Sequence, residues 1–324
     1  MLNKSKTSGR RAGLSAYGTG KTGFIYEISK NRWLYLLMLP GILFFILFNY
    51  LPIGGLYIAF TKFNVLKGIF GSEFVGFSNF RFFFTSNDWL LVVLNTLYLN
   101  ALFILSGLIV QVFLAIALSE ISGVWFKKVM QTFMFLPNFI SWTVVSIMAL
   151  ALFATDEGMV NSVLAALGFQ KISFFQDGSV WPVVLVILRL WKSAGFGTVI
   201  YLATIAGIEQ EMYEAAKIDG ASRLQSIRHI TIPMLRTTMV MLTILAIGGI
   251  FHGDFGMIYA IVGDNPLLKS STDVIDTFVY RALRRNNDFG MSSAVGLFQS
   301  VVGFIMVFMA NSLTKKIDRE SSLF

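Results

Sequence analysis

Apolar residues arrive in six long blocks, at 33–60, 89–118, 129–153, 180–206, 237–262 and 291–311, each about the 20 residues a helix needs to cross the hydrocarbon layer. That length dictates the structure. Inside lipid every backbone N–H and C=O must bond within its own segment, so an apolar run of this size is expected to be a helix. With 55% apolar residues, against roughly 45 to 50% in soluble domains, the excess does not fit one soluble core. The expected fold is an all-α integral membrane protein of six transmembrane helices. Pro40, Pro52 and Pro137 fall inside spans, where neighbouring groups satisfy the freed carbonyls, and they predict kinks rather than breaks.

The first 32 residues are polar and basic, with Lys4, Lys6, Arg10, Arg11, Lys21, Lys30 and Arg32 against the single acid Glu27. The first apolar run begins only at Trp33 and is too long for a cleaved leader, so it is expected to stay as a helix behind a basic cytosolic tail at 1–32. With the N-terminus inside, inner segments carry 16 of the 26 Lys and Arg and outer loops carry eight, with Arg189 and Lys192 inside a span. This asymmetry predicts both termini in the cytosol. The net charge of +8 is then a topology signal rather than a nucleic-acid footprint.

With no Cys and only His229 and His252, the chain has no disulfide framework, thiolate nucleophile, sulfur-ligated metal or histidine-rich centre. An intramembrane enzyme would therefore lack a credible nucleophile and base set. The loops are far shorter than a typical domain of about 100 residues, so no enzyme domain fits between the spans. Gly18, Gly20, Lys21 and Thr22 superficially resemble a phosphate loop, but the position five before Gly20 is Ser15 and no apolar strand precedes it. A basic tail near anionic lipid is the simpler reading.

The longest cytosolic loop, 209–236, is patterned as helix, turn, helix. Glu211 to Ile218 are helix-compatible, and Gly220 is placed to end that helix in a left-handed conformation. Ser222 and Gln225 then form a capping box for a second helix, which Pro233 closes. Leu224, Ile227 and Ile230 give that helix an apolar edge opposite Arg223, Gln225 and Arg228. Such a helix suits either a groove on a soluble partner or the inner leaflet, and pattern alone leaves both open.

The residues themselves go further. Glu214-Ala215-Ala216, three residues, Gly220, nine residues, then Ile230-Thr231-Ile232-Pro233 resembles the "EAA…G…I-x-L-P" coupling motif of permease subunits of bacterial binding-protein-dependent ABC importers. Ile232, in place of the usual Leu, is the one departure. Trp191-Lys192, Gly195-Phe196 and Tyr201-Leu202-Ala203 are similar to the run leading into that motif in the carbohydrate branch. Phe74-Val75-Gly76-Phe77 with Asn79-Phe80 is similar to its external segment, and Asn95-Thr96-Leu97 to the opening of its second span. The likeness covers roughly 33–313 and is strongest to oligosaccharide permeases of the maltose and alginate types.

The resemblance implies a type I importer permease, with a five-helix core over 89–313 following the first helix at 33–60. It also implies a second, similar permease, two ATPase subunits that use ATP and Mg, an external binding protein, and no cofactor or catalytic residue on this chain. Glu214, Ala215, Ala216, Gly220, Ile230 and Pro233 would contact the ATPase.

Ionisable groups within spans mark a pathway, a pair or a snorkelling end. Arg189, Lys192, His252 and Asp254 are such groups, and Asp254 is able to neutralise either base. Arg189, Lys192 and Asp254 also suit an ion-coupled secondary transporter, the rival reading. Tyr98, Asn100, Asn138, Trp142, Trp191 and Gln299 complete the candidate substrate pathway, although packing or interface anchoring is the more natural role for the Trp residues, and interhelical bonding is an equally natural one for the amides. The external segment 262–290, rich in Asp and Arg, suits either a docking surface for a binding protein or an ordinary solvated loop.

Overall fold

A computed structural model describes residues 30–317 and residue 322. The phosphate-loop lookalike, nearly all of the basic tail and Arg319 lie outside the described residues. The chain divides into two units, 1–55 and 56–324. Within the first, α1 (Arg32–Phe45) contains Pro40 and passes into a π-helical turn, Ile46–Tyr50. A tighter 3-10 stretch, Leu51–Phe60, begins next and contains Pro52.

The second unit is mostly helical. A two-residue antiparallel ribbon, Thr61–Lys62 with Glu73–Phe74, precedes α2 (Ser78–Thr85), α3 (Trp89–Ser119) and α4 (Val124–Phe135). Next come α5 (Trp142–Phe153), α6 (Met159–Ala166) and α7 (Trp181–Ala206). The loop at 209–236 supplies α8 (Gln210–Ile218) and α9 (Arg223–Ser226), and after it come α10 (Ile232–Gly248), α11 (Phe255–Ile261), α12 (Ile275–Asn286) and α13 (Phe289–Ile317). Among the described residues five helices are long and apolar enough to span, or six when the bent pair α4 and α5 is taken as one.

The third span departs from expectation. Pro137 lies in a 3-10 turn, Leu136–Phe139, after which the chain turns by 97° into α5. This is a break, not a kink. Ser141 restarts the helix by accepting from Val144 N–H, and Lys192 from α7 donates to the carbonyl of Asn138 at 2.8 Å, satisfying a group that the break frees. Replacing Lys192 with Met is expected to lower stability by about 1 to 3 kcal/mol, the usual cost of a buried acceptor left unpaired. Thermal unfolding in detergent measures it, and an unchanged Tm would show that the break stands without this bond.

The expectation that Pro233 ends the second loop helix is also overturned. One helix runs without interruption from Arg223 to Gly248. It accommodates the proline through a π turn at Ile227–Thr231, where Ile232 N–H bonds to Ile227 O five residues back. A proline ring clashes with the carbonyl four residues earlier, and the wider turn relieves that clash. The same device precedes Pro52, where Leu51 N–H bonds to Ile46 O.

The fifth span, in turn, stops early. Its helix ends at Gly248, so His252 and Asp254 lie in an unwound segment, 249–254, rather than in a helix. Three side chains from other elements hold the segment. Asn100 Nδ2 donates to the carbonyls of Ile250 and His252, each at 3.0 Å. Gln299 Nε2 donates to Phe251 O at 2.7 Å, and Asp276 accepts from Gly253 N–H. Unwound backbone at membrane depth persists only where protein satisfies it.

The main core joins α3, α5, α7 and α11 through Leu99, Phe103, Val145, Trp181, Leu185, Met257 and Ile258. The Gln111 side chain of α3 lies directly against Gly197 of α7, which has no side chain of its own. A Cβ there would fall 2.1 Å from Gln111 Oε1.

Candidate functional site

Facing stretches of α3, α7 and α10, with the unwound segment at one end, enclose a cleft of about 560 Å³. Its wall on α3 is Asn100, Ile104, Gly107 and Gln111, and on α7 Arg189, Ser193, Phe196, Gly197 and Ile200. Steps of three and four residues put each set on one helix face.

Of the ten pathway candidates, Asn100, Arg189, His252 and Asp254 line this cleft. Arg189 Nη1 bonds Asp254 Oδ2 at 2.9 Å, and its guanidinium lies 4.6 Å from the centre of the Phe103 ring. The other oxygen of Asp254 caps α11 by accepting from Met257 N–H at 3.1 Å.

The remaining candidates are placed elsewhere. Lys192 is buried against Asn138 O, with its Nζ 5.3 Å from the centre of the Trp142 ring, so all three belong to the break in the third span. It is Arg189, three residues earlier, that Asp254 neutralises. Tyr98 is 54% and Trp191 42% exposed, and neither lines the cleft. Gln299 is buried on the unwound segment, bonded to Phe251 O and Asp276.

Phe103, Gln111, Ser193 and Thr243 line the cleft without having been picked out from the sequence. Gln111 was findable, because it is a rare amide in an apolar helix and sits eleven residues from Asn100, three helical turns along the same face.

Asp276 stands behind the cleft. Burial pushes its carboxyl above the usual carboxylate range, opposed by the hydrogen bond from Gly253 N–H, by His252 and by Gln299. Further out, the acidic and basic residues of 262–290 largely pair with one another. Asp264 accepts from Arg285 at 3.1 Å, and Arg281 bonds the buried Asp273.

The loop at 209–236 forms a second region. Ala221 N–H bonds to Ala216 O and Gly220 N–H to Lys217 O, the paired bonds that close a helix around a left-handed residue. Gly220 has φ +78°. Ser222 and Gln225 cap α9 reciprocally, and Tyr213 hydroxyl bonds Thr231 hydroxyl at 2.9 Å, tying α8 to the long helix. Glu214 and Ala215 are exposed, while Ala216, Gly220 and Ile230 border a hollow of about 340 Å³. Ile218 and Leu224 are 85% and 75% exposed at the loop's tip, so the expected apolar edge is divided: Leu224 points out, and Ile227 and Ile230 are half-buried.

Membrane-length helices around a cleft that carries Asn100, Arg189 and Asp254, with a helical loop between two of them, are the architecture of a polytopic transport subunit. The chain belongs to the family "Binding-protein-dependent transport system inner membrane component", which residues 107–319 match. It is therefore an inner-membrane permease component of an ABC importer rather than an enzyme. Protein LplB of Bacillus subtilis (strain 168) is 39% identical over 90% of this chain and 92% of its own length. The polygalacturonan/rhamnogalacturonan transport system permease protein YteP of the same organism is 36% identical over 91% of this chain and 92% of its own.

Among solved structures, a bacterial ABC transporter involved in import of the acidic polysaccharide alginate superposes with TM-score 0.82. It is 30% identical, over 91% of this chain and 99% of the matched one. The alginate transporter in complex with its alginate pentasaccharide-bound periplasmic protein matches equally well, at TM-score 0.82 and 30% identity, over 91% of this chain and 98% of the matched one.

Proposed function

We propose that this chain forms one half of the translocation pathway of an ATP-driven importer for oligosaccharides, and specifically for acidic ones bearing uronate carboxylates. The observation that carries the coupling is the continuous helix from Arg223 to Gly248, which joins the cytosolic loop directly to the cleft. Movement of the loop by a partner ATPase would be transmitted along that helix as a rigid body. Arg189 on the cleft wall supports an anionic substrate, as do relatives that handle polygalacturonan and alginate.

In this reading both termini are cytosolic, and a second, similar permease faces this chain across the pathway. Two ATPase subunits bind the loop and use ATP and Mg, and an external binding protein delivers the sugar. The chain itself binds no cofactor. Family membership favours this scheme over an ion-coupled transporter built on Arg189, Lys192 and Asp254, and Lys192 is committed to Asn138.

Purification of the tagged chain from its own membranes is expected to bring an ATPase and a second permease with it. ATP hydrolysis by that complex should rise when uronate oligosaccharides and their binding protein are added. Uptake that persists without the ATPase and collapses with an uncoupler would refute the proposal.

A further inference from the structure

The cleft wall carries opposite charges that cancel. Arg189 and Asp254 are 33% and 28% exposed, so both are within reach of a molecule in the cleft. Asp254 offers Arg189 only one oxygen, because its other oxygen is held by Met257 N–H at the start of α11. The guanidinium, fixed over the Phe103 ring, is bonded by this carboxylate through one N–H, whereas a free carboxylate is able to take two parallel N–H bonds.

We propose that Asp254 is a built-in stand-in for the substrate's carboxylate. A uronate entering the cleft displaces it from Arg189 by making the two-pronged contact that Asp254 cannot make. A sugar without that charge leaves the pair closed. The released Asp254 is not stranded, since it still caps α11, where the helix dipole favours a negative charge. An acidic sugar thereby competes with Asp254 for Arg189 whereas a neutral one does not, and because Asp254 ends the unwound segment and begins α11, the exchange also loosens the tie between that segment and α7. This inference rests on the acidic-oligosaccharide reading above.

The test uses the complete importer in lipid nanodiscs with its binding protein. Sugar-stimulated ATP hydrolysis is measured for a uronate tetrasaccharide and for the same tetrasaccharide as its neutral methyl ester. The quantity read is the acid-to-ester ratio of kcat/KM in each variant relative to wild type, so that the binding protein's own preference cancels. Asp254→Asn keeps a residue suited to the helix cap but leaves Arg189 without its carboxylate, and is expected to shift the ratio toward the acid by about tenfold. Arg189→Gln should remove the acid preference, and the double variant should behave as Arg189→Gln does.

Equal changes for acid and ester in Asp254→Asn would reduce the pair to a structural contact. An acid-to-ester ratio that Arg189→Gln leaves at the wild-type value would likewise sink the exchange while leaving the acidic-substrate reading intact. Wild-type stimulation by the ester alone, or by neither sugar, would overturn both.

Discussion

Glu214→Lys and Gly220→Val variants are expected to reach the membrane at wild-type levels and to lose ATP-driven uptake. Glu214 is exposed, and reversing its charge disturbs no core packing. Gly220 sits at φ +78° with open space around its α-carbon. The cost of a side chain there is conformational: about 1 to 2 kcal/mol for any L-residue in the left-handed region, and more for a β-branched one. That cost falls on a surface turn bonded through Ala216 and Lys217, so it alters the angle between α8 and α9 without unfolding the spans. Membrane fractionation beside uptake and sugar-stimulated ATP hydrolysis separates the two effects. Variants that stay in the membrane and retain coupled hydrolysis would show that the loop does not transmit force.

Gly195→Val is expected to produce the largest loss of folded protein. A Cβ at Gly195 would lie 2.0 Å from the carbonyl oxygen of Met134 and 2.9 Å from the nitrogen of Phe135. Overpacking usually costs about 1 to 3 kcal/mol where side chains move aside, but here the obstruction is the backbone of α4 just before the break in the third span. Gly197→Ala is the internal comparison, because the atoms it meets belong to the Gln111 side chain, which is able to swing into the cleft. Size-exclusion chromatography and thermal unfolding in detergent should show little folded Gly195→Val and a much smaller loss for Gly197→Ala. A Gly195→Val protein with the wild-type Tm would contradict the close approach of α4 and α7.

Much of the loop at 209–236 was legible because its signals are local. Gly220 and the Ser222–Gln225 box act within a few residues of themselves, and both take the geometry their chemistry predicts. Pro233 was misread because its usual effect is also local, while the relief comes from a change of register in the preceding turn. Pro137 shows the opposite error. Its turn becomes a 97° break that α7 supports through Lys192, more than fifty residues away in sequence.

The cleft was only partly legible. Arg189 and Lys192 are three residues apart on α7 and chemically similar, yet Arg189 meets Asp254 and Lys192 the carbonyl of Asn138. No property of either residue alone divides them. Likewise Gln299 reads as a pathway amide but is occupied by the carbonyl of Phe251.

By itself the sequence determined that the chain spans the membrane as helices, because twenty consecutive apolar residues leave the backbone no other way to satisfy its hydrogen bonds in lipid. It also determined the Gly220 turn and the Ser222–Gln225 cap of the loop at 209–236, which act over a few residues. Only the tertiary structure decided where the third and fifth spans break and which polar groups face the cleft. Those outcomes depend on partners such as Asn100 for Ile250 and Asp254 for Arg189, brought together by packing between helices far apart in the chain.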